Sequence, residues 1–470
     1  MIEYETLGFM CGIEIHQQLE GKKLFCGCPT IIRKDKPDYS IRRELRVSSG
    51  EMGGVDAAAK HEQSKEKHFI YQGYHGSTCM VENDEEPPHP VNPVALQAAI
   101  QICSMIHATV VDEVQFMRKT VIDGSNTSGF QRTALVGVDG YIEVMGKKIS
   151  VPTICLEEEA CQVVERGDDK DVYNLSRLGI PLIEIGTGPE IENAEMAKEA
   201  AAQLGMVLRS TGKCKRGIGS IRQDVNISIK GGARTEVKGF QDLKSIPAVI
   251  EGEVKRQLSE IKKGKSVQPQ VRKAEPDFST TFLRPMPGAD RMYPETDIPP
   301  IRVGDITVEK IELLDDKVAR LAKKHKVPAE MVRIIVKKDM PFEDLVSRYP
   351  RVAPLLVAEY LVSVPKEVRK RFSVEADPLV HAEDILGRLG KGEITKESVC
   401  DILAALGKGE TVDFSKYTAV DDSKVDAVIA KVVEKHKGAP IGALMGEAMK
   451  ELRGKADGKT VMDKLRKSVG

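Results

Sequence analysis

The chain has 470 residues, 41% of them hydrophobic, and its 70 lysines and arginines face 71 aspartates and glutamates. At about 150 residues per domain this predicts roughly three domains, each able to bury a core. A net charge of −1 excludes a uniformly basic nucleic-acid coat and confines any nucleic-acid contact to a local patch. Tryptophan is absent, and ten tyrosines and eleven phenylalanines leave the cores to aliphatic side chains, against a membrane-interface protein. Nine cysteines scattered from Cys11 to Cys400 make no disulfide framework, and no basic segment followed by an apolar one opens the chain. The expectation is a reduced, cytoplasmic protein without a signal peptide.

In chain order, Gly12-Ile13-Glu14-Ile15-His16 alternates strictly, placing Ile13 and Ile15 on one face of a strand and Glu14 with His16 on the other. The longest uncharged run, Pro93 to Val111, is interrupted by Gln97, Gln101, Ser104, His107 and Thr109. Asn92-Pro93 is a helix start, so the run predicts a buried helix over 93–108 and no membrane span. Tyr141–Val144, Ile149–Glu157 and Ile221–Ile229 read as strands of antiparallel hairpins, because turns such as Lys230-Gly231-Gly232 are too short for a parallel crossover. Helices are predicted over 193–209 and 245–260, the latter with Ile246, Ile250, Val254 and Leu258 as its apolar stripe. Strands with inserted helices give an α+β class with a mixed, mainly antiparallel sheet. Glu260 to Pro276 reads as an exposed linker. Helical periodicity takes over beyond about residue 300, which yields domains at 1–300, 301–417 and 418–470.

Four polar clusters stand out. Glu14 and His16 share one strand face. Glu157, Glu158 and Glu159 leave a buried strand together and repel one another unless cations compensate, a pattern found at divalent-metal sites. Glu184 lies inside the apolar run Ile180-Pro181-Leu182-Ile183-Glu184-Ile185 and is costly to bury unpaired. Arg222, Asp224, Asn226 and Ser228 alternate along one strand, and the returning strand brings Glu236 and Lys238, a mixture suited to phosphate and metal. The sequence contains no GxxxxGK[ST] loop.

The segments GIEIH, LEEEA, GIPLIEI, GSIRQDVNISI with EVKGF, and GADRMYPETDIPPI, in this order from residue 12 to about 300, together resemble the GatB/GatE family of tRNA-dependent amidotransferase subunits. TTFLRP followed by RMYPETDIPP is more similar to the archaeal E-type than to the bacterial B-type. The resemblance implies a cradle-like kinase domain, an all-α helical domain and a small YqeY-like α-helical tail that touches tRNA. It also implies ATP and Mg²⁺, with Glu-tRNA(Gln) phosphorylated on the glutamate side chain and then amidated. The ammonia would come from an asparaginase-like partner, the D-type amidotransferase subunit, in a heterotetramer. Carried over by motif, His16, Glu157 and Glu184 are the metal ligands, and Glu14 and Glu158 are further ligands or carboxylates behind them. The resemblance leaves open which of Glu157 and Glu158 faces the metal. Arg222, Asp224, Asn226, Glu236 and Lys238 form the nucleotide wall, with Arg118 and Lys119 as anion contacts.

Two departures qualify the resemblance. Some members of the family hold zinc through two cysteine pairs, but Cys26, Cys28 and Cys79 lack a fourth thiolate, so zinc is not expected. The insertion domain usual in the archaeal branch is absent near 265–272. The alternatives are a B-type subunit acting with an amidase-like partner and a tRNA-binding scaffold with an inactive kinase site.

Overall fold

The computed structural model describes residues 3–47, 54, 57–240, 242–286, 292–309, 311–418, 422–452, 456 and 458–469. It divides into two units, Met1–Leu313 and Leu314–Gly470. The first unit runs past residue 300 because Ile301–Arg302 pairs antiparallel with Glu113–Val114.

An eleven-stranded sheet organises the first unit. Its strands are β1 (Met10–Gln18), β2 (Thr109–Val110), β3 (Phe116–Thr120), β4 (Phe130–Val144), β5 (Lys147–Glu158), β6 (Pro181–Gly186), β7 (Ile221–Ser228), β8 (Thr235–Phe240), β9 (Gln270–Ala274), β10 (Thr280–Pro285) and β11 (Met292–Pro294). The order across the sheet is β10-β9-β8-β7-β1-β6-β5-β4-β3-β11, with β2 paired to β4. Every pairing is antiparallel except β8 with β9. The β4–β5 hairpin closes on Met145 and Gly146, both at positive φ, the geometry that suits a tight turn to the twist of its strands.

Three helices cover one face: α1 (Pro93–Met105), α2 (Ala194–Ser210) and α3 (Ile246–Lys262). Asn92 caps α1, its Oδ1 accepting from the amide of Val94 at 3.0 Å, and Asn193 caps α2 by accepting from Met196 at 2.9 Å. Beneath them Ile13, Ile15, Ile154, Ile183, Ile185 and Val225 form a continuous aliphatic core, as the scarcity of aromatics requires. The opposite face of the central strands is left to polar side chains. The supposed linker after Glu260 is partly sheet: α3 continues to Lys262, and β9 pairs with β8 from Gln270. Its polar composition hid the strand because only Val271 and Ala274 of β9 are buried.

In the second unit, helices from Leu314–His325 to Val399–Gly407 enclose one core, including Val332, Ile335, Leu361 and Leu403. Helices Asp422–Lys435, Ile441–Leu452 and Gly458–Val469 enclose a separate one around Val425, Ile429, Leu444, Ala448 and Leu465. Among the described residues no helix is long and apolar enough to cross a membrane.

Candidate functional site

The polar face of the sheet opens into a cavity of about 550 Å³. Register explains which side chains reach it. His16 of β1 lies opposite both Glu184 of β6 and Arg222 of β7, and Glu14 lies opposite Asp224. Directly opposed residues of antiparallel neighbours project to the same face, so clusters more than 160 residues apart in sequence meet. Glu157 of β5 lies opposite Leu182 of β6, two residues from Glu184. Lys119 of β3 lies opposite Gln131 of β4.

At the centre, His16 Nε2 is 3.2 Å from Glu184 Oε2 and 3.4 Å from Glu14 Oε1. Lys119 Nζ is 2.5 Å from Glu157 Oε1 and 3.6 Å from Glu184 Oε2, and Gln131 Nε2 donates to the other Glu157 oxygen at 3.1 Å. Towards β8, Lys238 Nζ donates to Asp224 Oδ2 at 2.6 Å and meets Glu236 at 2.5 Å. Burial alone would lower the His16 pKa, but its hydrogen bond to Glu184 and the nearby carboxylates outweigh burial and raise it to about 9. Burial, with the Glu184 charge behind it, raises Glu14 to about 7. Burial also raises Glu157, whereas Lys119 and His16 overcome burial at Glu184 and hold its carboxyl down. Neighbouring carboxylates pushed in opposite directions mark a charge-dense site where one ionises far more readily than the other.

His16, Glu157 and Glu184 offer ligand atoms within 4.8 Å of one another, as do Glu14, His16 and Asp224. One imidazole nitrogen with two carboxylates suits a hard divalent cation. The register thus separates the two candidate glutamates: Glu157 faces the cavity, while Glu158 is buried on the far side, accepting from the Arg132 amide at 3.1 Å.

Two further expectations change, and a neighbouring residue joins the site. Arg118, one residue from Lys119, points away from the cavity and binds Glu295 at 2.5 Å and Asp297 at 3.0 Å, because alternation sends the neighbours to opposite faces. Asn226 does not line the cavity; its Oδ1 accepts from Arg234 Nε at 3.0 Å, and Arg234 does. Gln223, which alternation places on the opposite face from Arg222, borders the cavity where the β7–β8 register shifts between Gln223 and Val225.

The sequence reading placed Glu159 in the carboxylate cluster but gave it no role, and it missed other participants. Glu159 is buried at the cavity wall, accepting from Arg222 at 3.0 Å and from Gln18 at 2.8 Å. Its alternation with Glu157 was the available signal. Gln131, Arg234 and Arg284 line the cavity too, with no local pattern to announce them.

Apart from the cavity, Cys26, Cys28, Cys79 and Glu82 bring four ligand atoms within 4.8 Å of one another. Cys26 Sγ donates to Glu82 Oε1 at 2.9 Å, and the buried Lys23 ammonium lies 3.2 Å from the same oxygen. Hydrogen bonds from Cys26 and Cys79 hold the Cys28 thiol down to about 4. The donor missing as a thiolate is therefore present as a carboxylate, and this set fits a four-coordinate metal.

Residues 9–309 match the family model described as the GatB/GatE catalytic domain, and residues 341–469 match the GatB domain. The chain is 37% identical over 627 residues to the E subunit of glutamyl-tRNA(Gln) amidotransferase from Methanocaldococcus jannaschii, covering 100% of this chain and 99% of that protein. It is 37% identical over 616 residues to the protein of the same name from Archaeoglobus fulgidus, with 100% and 99% covered. For the Thermococcus sibiricus protein the figures are 34% over 623 residues, with 99% and 98% covered. These alignments are longer than 470 residues, so the relatives contain sequence without a counterpart in this chain.

Proposed function

Because the chain belongs to the GatB/GatE family, we propose that it is the carboxylate-activating subunit of a tRNA-dependent amidotransferase converting Glu-tRNA(Gln) to Gln-tRNA(Gln). The observation that carries this reading is the joining, in one cavity, of the His16–Glu157–Glu184 ligand set to the cations Lys119, Arg222, Arg234 and Lys238. In the proposed reaction a glutamate side-chain oxygen attacks the γ-phosphorus of ATP and ADP leaves. Ammonia then attacks the acyl carbon of the γ-glutamyl phosphate, phosphate leaves, and the amide forms.

Two anions must be brought together for the first step, so positioning and charge neutralisation provide most of the catalysis. His16, Glu157 and Glu184 would hold Mg²⁺, which when bound supplies charge screening at the phosphates. Arg222, oriented by Glu159, and Lys238, oriented by Asp224 and Glu236, present positive charge to a phosphate chain. Lys119, which bridges Glu157 and Glu184 on the cavity wall, suits the transferred phosphoryl group. Ammonia would come from an asparaginase-like D-type partner in a heterotetramer, and the helices from Asp422 onward would bind the tRNA backbone. Cys26, Cys28, Cys79 and Glu82 would hold a structural metal. Metal analysis of the purified chain checks this, with about one zinc per chain expected and loss of that zinc in Glu82→Ala.

The test uses purified chain, Glu-tRNA(Gln), ATP and Mg²⁺, first with the co-purifying partner and then with ammonium chloride in its place. Gln-tRNA(Gln) should form in both, with one ADP released per amide. Absence of ADP formation with authentic Glu-tRNA(Gln) under both conditions would reject the reading.

A further inference from the structure

Three strands at one end of the sheet each carry a pair of adjacent polar residues facing opposite ways. Lys119, Gln131 and Glu157 meet on the cavity face. Their chain neighbours Arg118, Arg132 and Glu158 meet behind the sheet. Glu295, from the segment that follows β11, completes this rear layer. Its Oε1 receives Arg118 Nη2 at 2.5 Å and its Oε2 receives Arg132 Nε at 2.7 Å. Arg132 Nη1 lies 3.4 Å from Glu158 Oε1, the Glu295 amide donates to Phe116 O at 3.0 Å, and both guanidiniums lie over the Phe130 ring.

The Glu295 side chain is 0% exposed, and its two oxygens serve two different strands. A buried ion pair is weak evidence for stability, since a well-packed apolar replacement often does as well, and what this one visibly does is link two strands. This end of the sheet is narrow: β3 has five residues, all paired with β4, its outer neighbour β11 has three, and nothing pairs beyond β11 among the described residues. A carboxylate bridging Arg118 and Arg132 ties β3 to β4 directly behind the pair that carries Lys119 and Gln131.

We propose that Glu295 is a positioning residue for the phosphoryl transfer, acting through Arg118 and Arg132 on the Lys119–Gln131–Glu157 cluster of the cavity. The proposal rests on the reaction assigned above. Displacement of a catalytic group by about 1 Å can cost on the order of 100-fold in rate, so a rear-face residue that never touches substrate can control turnover.

The experiment measures ADP formation by the full chain with Glu-tRNA(Gln), ATP, Mg²⁺ and ammonium. It compares wild type, Glu295→Gln, Gln131→Ala and the double variant, with thermal melting of each. Wild-type turnover comes first, and its absence would defeat the functional reading and this inference together. With wild type active, Glu295→Gln should lower kcat about tenfold or more at a little-changed KM for ATP, and it should add less than about twofold in the Gln131→Ala background, the non-additivity of groups acting through one another. A residue that merely stabilises the fold would lower the melting temperature while leaving kcat per folded molecule within about twofold, or its effect would simply multiply with that of Gln131→Ala. Either result overturns the proposal and leaves the functional reading intact. Should Glu295→Gln fail to fold, Arg118→Lys, which keeps the charge but loses the forked donor, is judged by the same criteria.

Discussion

On the cavity face Lys119, Gln131 and Glu157 converge with His16 and Glu184, and about a fifth of the Glu184 side chain stays open to solvent. On the rear face Arg118, Arg132, Glu158 and Glu295 again pair cations with carboxylates, yet Glu295 is wholly covered and Arg132 nearly so. The first layer keeps charges partly unsatisfied by one another, so a substrate or cation can complete them. The second pairs its charges with one another around the covered Glu295, leaving only the buried Arg118 Nε without a hydrogen-bond partner among the layer's side chains. The same ionic chemistry thus yields reactivity or rigidity according to whether the polar groups are left a free side.

The largest expected effect breaks the cavity layer. Glu184→Gln keeps the shape of the side chain but removes a ligand and the partner of His16, and it should lower ADP formation with Glu-tRNA(Gln) by about 100-fold or more while the melting temperature changes little. Near-wild-type turnover at saturating Mg²⁺ would remove Glu184 from the site. His16→Ala should behave alike.

Exchanging the layers sharpens the contrast. Glu158→Gln leaves Arg132 short of a buried anion and should cost about 2–3 kcal/mol of stability in denaturant titration, whereas Glu157→Gln on the next residue should cost turnover more than stability. Equal stability losses in the two would erase the distinction. The acid side of the stability profile carries the same signature. Burial works to raise the Glu295 pKa, but Arg118 and Arg132 hold its carboxyl below the ordinary glutamate value. Such a group binds more protons unfolded than folded as pH drops, so its contribution is present above about pH 4.3 and fades as pH falls through the folded pKa. Glu295→Gln should flatten that acid limb, and an unchanged limb would contradict the ion pairing.

Arg222→Ala and Lys238→Ala should raise the KM for ATP several-fold, about 1 kcal/mol each, as expected for partly exposed phosphate contacts. Alternation alone would leave Gln223→Ala silent; its place at the cavity edge predicts a smaller but measurable change in the same titration. The smallest effect concerns the last three helices. From Lys431 onward ten lysines and arginines stand against five acids. Truncation at Thr418, between two separate cores, should weaken tRNA affinity several-fold, with a reduced salt slope, and spare turnover at high tRNA concentration. Unchanged affinity across a salt titration would remove the tail from tRNA binding.

Much of this was legible in the sequence because it depends on neighbours in the chain. The helix starts at Asn92-Pro93 and before Ala194, the β4–β5 and β7–β8 hairpins, and the sharing of a face by Glu14 with His16 follow from capping, turn length and alternation. The motifs singled out His16, Glu157 and Glu184 together, whereas a count of thiolates cannot see that the Glu82 carboxylate folds beside Cys26, Cys28 and Cys79. What remained hidden was long-range register. Whether Glu157 or Glu158 faces the cavity is fixed by the pairing of β5 with β4 and β6, and a one-residue slip would exchange the two. The Arg118–Glu295 and Arg132–Glu295 bridges join residues more than 160 positions apart, so no spacing could announce them. The sequence by itself determined the elements and the chemical types available to the site. Only the tertiary structure decided which member of each adjacent pair faces the cavity, because facing is a property of strand pairing and not of the strand alone.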